Sequence, residues 1–431
     1  MTRAPAPVAA DLPLHCNRDF SLLWLGEGVS VLGNATTSVL LPLLAVVGFD
    51  AGPEWMGLIT AAAWAPWLLI GLPAGAWVDR LPARRVMVAS DLLAAASLAS
   101  VPVAWALDVL TLPHLVAAAF ANGVCTVFFR AAYPLLVRQV APRHQQETAF
   151  ARLFGTESAM QVAGPGAGGV LAQALSAAWG LAADALSFLV SATCLLLLRL
   201  DGPGREVRSQ TGEDPVLLRI RIREGIDYLR QDRLLRFFTI VGGVSNFGLT
   251  GYGALLVLFL VRDVRLDEAR VGIVMAVGAA GGVVGASLAT RLSQRLGSAR
   301  ALLSLQLLAG PPALLVPLGG PGAGLVAMVA GMVLVGIGVV AGNVVRGAWR
   351  NRYVPVEMVA RQVTTAQVVN LGTMPVAALA AGWLGSAIGL RQTIALMAAV
   401  HTAACLSMWR SPLRGLRDMP ERAEDLARAT T

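Results

Sequence analysis

The sequence predicts an all-α membrane protein with twelve transmembrane helices in two pseudo-symmetric six-helix halves. Three observations carry this reading. The 431 residues are 56% hydrophobic and 14% charged, with mean hydropathy +0.66. A soluble domain carries about 25% charged residues. Twelve runs are long and apolar enough to cross a bilayer, which takes about 20 residues. The last six runs also repeat the first six.

In chain order the runs fall near 20–47, 54–77, 86–107, 112–137, 148–173, 177–198, 237–261, 268–291, 300–319, 322–346, 360–387 and 391–410. The longest polar interval, 199–236, lies midway. The expected division is therefore a tail 1–19, a first half 20–198, a linker 199–236, a second half 237–410 and a tail 411–431. The first nineteen residues hold no apolar core of a signal peptide. Within the linker, 201–214 reads as flexible. Residues 216–235 put Leu218, Ile222, Ile226 and Leu229 on one helical face among arginines. Such a helix lies on the membrane surface or packs on the ends of the bundle.

Arginine placement sets the orientation. With the N-terminus in the cytoplasm, 29 arginines fall inside and four fall outside (Arg262, Arg265, Arg270 and Arg391), while Arg130 sits within a helix. Both termini are thus expected in the cytoplasm, in a multi-pass protein of the cell (inner) membrane.

The repeat is visible by eye. GEGVSVLG at 26–33 matches VGGVSNFG at 241–248, a shift of 215. At that shift Gly57 meets Gly272, and DRLPARR at 79–85 meets QRLGSAR at 294–300. Later the shift is 213: Pro142 meets Pro355, and Gly169-Val170-Leu171 meets Gly382-Trp383-Leu384. Duplicated halves of this kind place a substrate site at their interface.

Composition excludes several chemistries. There is no lysine, so all 34 basic residues are arginine. That removes a phosphate-binding P-loop, which needs its Lys, and a Schiff-base lysine. Cys16, Cys125, Cys194 and Cys405 form no C-x-x-C pair, and the histidines (His15, His114, His144 and His401) are scattered. No metal site, cofactor or enzyme activity is expected. The net charge of +8 reads as membrane topology and not as nucleic-acid binding.

The stretch Gly75 to Arg85, GAWVDRLPARR, lies between two apolar runs. Charges cost roughly 2.5–3.5 kcal/mol at the bilayer centre, so Asp79, Arg80, Arg84 and Arg85 belong at a membrane face. The spacing G-x3-D-R-x3-R-R resembles the loop between helices 2 and 3 of the major facilitator superfamily of secondary transporters. Pro82 replaces the usual glycine and Ala83 the next arginine. The GPGAGG run, Gly164 to Gly169, resembles the helix 5 signature of that superfamily's antiporters, with Met160 where a spaced glycine is usual. The drug-exporter R-x-x-Q-G of helix 4 is absent; Asn122-Gly123 occurs in that region. NRDFSLLWLGEGVSVLG at 17–33, DALSFL at 184–189, REGIDYLRQDRLLR at 223–236 and NRYVPVEMVARQ at 351–362 are similar to the drug:proton antiporter group that includes macrolide and enterobactin exporters.

The resemblance implies export of a small amphipathic compound (drug, antibiotic or siderophore-like), driven by proton entry with alternating access, by a monomer in a lipid bilayer. It names no cargo. A lysophospholipid or lipid translocator of the same fold, or a non-transporting sensor, stands as the alternative. It also implies conformational gating by Gly75, Asp79, Arg80, Arg84 and Arg85. The same role falls to Gly164, Pro165, Gly168 and Gly169, where the proline bend helps form the interface with the other half. In the family the loop acid also meets the N-terminal end of helix 11, here near Val359.

Intramembrane ionisable groups are functional candidates by default. Glu27, Arg130 and Glu157 fall at one expected depth in the first half. They form either a proton-exchanging cluster or a static ion pair. Glu27 has Gly242 as its repeat partner, Asp79 has Gln294 and Asp91 has Gln306, so acids are lost from the second half. Asp91 is expected to neutralise Arg84 or Arg85, Asp184 to be structural and His401 to be peripheral. Asn34, Asn246, Asn343, Gln367 and Asn370 are candidate cavity contacts. Arg130 is the sole buried cation expected, which favours an apolar or cationic cargo over a multiply charged anion.

Overall fold

The computed structural model of the protein describes residues 14–199 and 224–421. Among these residues there are twelve long helices and no strand. The first half holds α1 (Arg18–Leu43), α2 (Pro53–Val78), α3 (Ala83–Ala106), α4 (Leu112–Val140), α5 (Gln146–Leu175) and α6 (Ala177–Leu196). The second holds α7 (Arg233–Arg262), α8 (Glu268–Leu296), α9 (Ser298–Ala309), α10 (Ala323–Tyr353), α11 (Val356–Ile388) and α12 (Leu390–Ser407).

Local chemistry sets many of these boundaries. Asn17 caps α1 by accepting from the amides of Asp19 and Phe20 at 3.1 Å. Asp232 starts α7 by accepting from Leu235 N at 2.9 Å, and Asp267 starts α8 by accepting from Arg270 N at 2.8 Å. Such side chains satisfy amides that have no partner within the helix. A π turn, Leu44–Gly48, extends α1. The turns between α8 and α9 and between α11 and α12 are single residues, Gly297 at φ 89° and Gly389 at φ 93°. Glycine adopts that backbone without steric cost.

Where the boundaries differ from the apolar runs, polar ends are the reason. Helix α10 runs seven residues beyond position 346, carrying Arg350 and Arg352 with it. Helix α11 begins at Val356, directly after Pro355 and three residues before Val359. The span after Ser298 is broken at Gly310 and continues as a 3₁₀ segment, Pro311–Leu318, because two successive prolines cannot donate α-helical hydrogen bonds.

The halves pack by one plan. In the first, α1 packs on α5 and α6, α2 on α4, and α3 on α4 and α6; in the second, α7 packs on α11 and α12, α8 on α10, and α9 on α10. The halves meet mainly through α2 against α11 and α5 against α8. Residues 224–231 form a short helix before Asp232. Its Leu229 is buried with Leu234, Leu235, Trp349 and Tyr353, so this part packs on the second half. Leu218 and Ile222 lie outside the described residues. The segment after α12 also packs back, with Trp349 Nε1 donating to Pro420 O at 2.8 Å and Ser298 N to Asp418 Oδ1 at 2.8 Å.

Candidate transport pathway

Helices α1, α4 and α5 bring Glu27, Arg130 and Glu157 together. The Arg130 guanidinium grips Glu157 with two nitrogens, Nη1 at 3.2 Å from Oε2 and Nη2 on Oε1. Planar, bidentate geometry makes this the strong form of ion pair. Glu27 is 5% exposed and lines the same small cavity as Arg130. Its Oε2 is buried with no hydrogen-bond partner. The arrangement is thus a pair plus an adjacent free carboxyl, and Arg130 does not sit evenly between two acids.

Asp91 joins this cavity. It is 1% exposed and lines the same space as Glu27 and Asn34. The expectation that it neutralises the basic loop is wrong: nearly two turns of α3 carry it away from the face. Arg84 instead donates to the Leu196 carbonyl at the end of α6. Asp184, expected to be structural, accepts from Thr37 Oγ1 at 2.5 Å and Ser187 Oγ at 2.9 Å. His401 is not peripheral. It is fully buried, bonded to Ser245 Oγ at 2.9 Å and Ala309 O at 3.0 Å.

The cavity in the first half measures about 40 Å³. That is room for water and too little for a cargo, since a single water needs roughly 10–15 Å³. A second cavity of about 400 Å³ opens in the second half, within the range of about 300–1,000 Å³ typical of ligand sites. Asn246, Asn343, Gln367 and Asn370 line it. Asn246 Nδ2 donates to Asn370 Oδ1 at 3.4 Å. Asn34 lies in the smaller cavity, accepting from Asn122 Nδ2 at 3.3 Å.

The large cavity also holds Arg346 and Arg350. Arg130 is therefore not the only cation within the bundle. Their positions near the end of the apolar run made them read as inner-face charges. The signal that could have found them is the length of α10, whose polar end repeats that of α4 at the shift of 213.

Gly164, Pro165, Gly168 and Gly169 of GPGAGG divide between two contacts. Gly164 and Gly168 lie against Ala35 and Thr36 of α1, and Gly169 lies against Gly272 of α8, whose nearest neighbours include the Pro165 carbonyl. The same end of the molecule is tied across the halves elsewhere. Arg262 of α7 donates to Asp50 Oδ1 at 2.5 Å and Ala51 O at 3.1 Å, and Ser386 of α11 donates to Glu54 of α2. Toward the other end, a methyl built on Gly75 or Gly155 would meet nothing within 4 Å. Asp79 ends α2 as its C-cap, exposed beside Arg80, and Arg85 is exposed as well.

A family model described as Major Facilitator Superfamily matches residues 23–322 and 238–429. A curated relative, the multidrug efflux pump Tap of Mycolicibacterium fortuitum, is 28% identical over 222 residues, which is 50% of this chain and 53% of the relative. The match thus spans about half the relative's length. Among solved structures, the nucleoside transporter NupG (D323A mutant) superposes with TM-score 0.74 at 12% identity, covering 91% of this chain and 99% of that one. A bacterial homologue of the iron transporter ferroportin in an inward-facing state gives 0.71 at 15% identity, covering 91% and 98%. A bacterial homologue of the lysosomal transporter Spinster, inward-facing and unoccupied, gives 0.66 at 14%, covering 92% and 97%. At these identities the structures share the fold alone.

Proposed function

The chain belongs to the major facilitator superfamily, and from that premise we propose that it exports a small amphipathic compound by proton antiport. It is a multi-pass membrane transporter of small molecules and not an enzyme. The export reading draws on the relative named as a multidrug efflux pump. The proton reading rests on one observation, the buried Glu27 carboxyl beside the Arg130–Glu157 pair.

Burying an ionised carboxylate without a partner is costly, so Glu27 is where an exchanged proton would sit while Arg130 holds Glu157. If Arg130 moves toward Glu27 when access changes sides, the two acids exchange roles: Glu27 gives up its proton and Glu157, losing its cation, takes one up, so a proton crosses when release and uptake face opposite sides of the membrane. With the arginine-rich loops in the cytoplasm, the tied end carrying Asp50 and Ser386 faces out, and the arrangement described is closed to the outside. The protein then works as a monomer of the cell (inner) membrane with both termini inside.

The test uses inverted vesicles from cells making the protein, acidified inside, with a panel of amphipathic antibiotics and dyes. We expect uptake of at least one compound, abolished by collapsing the pH gradient with nigericin. Uptake that ignores nigericin would remove the proton, and no uptake across the panel at matched protein would remove export.

A further inference from the structure

The two cavities are repeat-related, and the repeat has exchanged their charge. At the shift of 215, Glu27, Ser30 and Asp91 of the small cavity fall on Gly242, Ser245 and Gln306 of the large one. At the shift of 213, Arg130 falls on Asn343 and Glu157 on Asn370. All three acids have become neutral. In the same cavity Tyr133 and Val137 correspond to Arg346 and Arg350, so two cations appear where the first half has none.

Nothing described neutralises these cations. Among the described residues neither arginine makes an ion pair with a carboxylate. Arg346 is held through Nη2 by Asn343 Oδ1 at 2.5 Å. The Nε of Arg350 is buried without a partner. Gln362, 2% exposed in the same cavity, leaves its Oε1 unpaired. Uncompensated charge within a helix bundle is costly, and a guanidinium fork fits carboxylate and phosphate oxygens. The cavity walls also include Phe238 and Trp349, an apolar surface beside the charge.

We propose that the large cavity of the second half binds the anionic oxygen group, carboxylate or phosphate, of an amphipathic ligand on Arg346, with Arg350 as the second cation. This deepens the transport reading and rests on it. It also replaces the expectation of a purely apolar or cationic cargo. The division of labour follows: the acidic, water-sized cavity handles the proton and the basic, ligand-sized one holds the cargo's charge.

The test measures binding to the purified protein in a neutral detergent, so it does not depend on proton-driven transport. Two matched probe pairs differ only in the anion: rhodamine 110 with its methyl ester rhodamine 123, and dodecyl phosphate with dodecanol. We expect the anion-bearing member of at least one pair to bind about tenfold tighter or more. Arg346→Gln should erase that preference while leaving the affinity of the member without the anion unchanged, and Arg346→Lys should retain part of it. Arg350→Gln, checked for a monodisperse elution profile, should weaken the anion-bearing member only. A preference within the first pair points to a soluble cargo, and one within the second to a lipid-like headgroup. Equal affinities within both pairs, or a preference that survives Arg346→Gln, would overturn the proposal. If the preference holds but vesicle uptake ignores the pH gradient, the proton reading fails and the anion site stands.

Discussion

Gly169 of α5 lies against Gly272 of α8, so close that a methyl built on Gly169 would sit 2.7 Å from the Gly272 Cα. The repeat-related crossing is built the same way: a methyl on Gly57 of α2 would sit 2.8 Å from the Gly382 Cα of α11. Gly57 and Gly272 are repeat partners, as are Gly169 and Gly382. One contact is therefore used twice, about the pseudo-twofold axis relating the halves. Small residues let backbones approach where no hydrophobic effect drives helices together.

Gly57→Leu or Gly169→Leu should prop this end open. Overpacking typically costs about 1–3 kcal/mol, here charged to the closed arrangement alone. Transport should fall to about a tenth or less, since each ~1.4 kcal/mol shifts an equilibrium tenfold. The reporter is Ala61→Cys in a Cys16→Ser background, because Ala61 is buried with Ala254 and Ala378 of the other half. An impermeant maleimide added outside should label it in the leucine variants and not in the parent. Gly155→Ala, facing open space, should behave as wild type. Unlabelled reporter in both leucine variants would mean the crossings do not set outer closure.

Much of this fold was legible because both signals that carry it are long. Twenty-residue apolar runs survive errors at their ends, and a repeat compares many positions at once. Depth along a helix was less legible. The apolar run of α10 stops at position 346, yet the helix continues to Tyr353, so Arg346 read as a surface charge. Asp91 was assigned by its nearness in sequence to Arg84 and Arg85, while the helix carries it inward to Glu27. His401 read as peripheral because no motif surrounds it; its partners, Ser245 and the Ala309 carbonyl, are distant in the chain.

Asp184 should matter for stability and not for coupling. Both carboxylate oxygens are occupied, by Thr37 and Ser187, and the site is closed against Gly33 of α1. Asp184→Ala strands two buried hydroxyls, at about 1–3 kcal/mol each when left unpaired. The variant should lose its monodisperse elution profile at a lower temperature than wild type, while transport per folded molecule stays near normal. Wild-type thermal stability combined with lost pH-driven transport would reassign Asp184 to the proton path.

Asp79 presents the opposite case. It caps the C-terminal end of α2, where the helix dipole disfavours negative charge by about 0.3–1 kcal/mol. Helix stability does not explain an acid there. Asp79→Asn should therefore leave membrane yield equal or slightly higher while export falls. This is the result expected if the acid latches the outward-facing state against the start of α11. Efflux at the wild-type rate with matched expression would dispose of the latch.

The cluster of Glu27, Arg130 and Glu157 separates structure from coupling by the order in which its members fail. Arg130 serves Glu157 through two hydrogen bonds, and Glu27 stands beside them unpaired. Breaking a fully buried pair costs about 3–5 kcal/mol. With 33% of the Arg130 side chain and 22% of Glu157 still exposed, the cost here should fall below that range. Arg130→Ala leaves Glu157 uncompensated near Glu27, so it should damage folding more than Glu157→Gln. Combining Arg130→Ala with Glu157→Gln should recover part of the lost yield, because both charges of the pair are gone, but no pH-driven transport. Glu27→Gln removes no ion pair, so it should fold normally, bind cargo and exchange it across the membrane without a gradient. It should nevertheless fail to accumulate cargo against one. Liposomes report both activities on one preparation: counterflow at equal pH, then uptake on an imposed pH step. If Glu27→Gln and Glu157→Gln both retain full pH-driven uptake, the pair is a static brace and the proton crosses elsewhere.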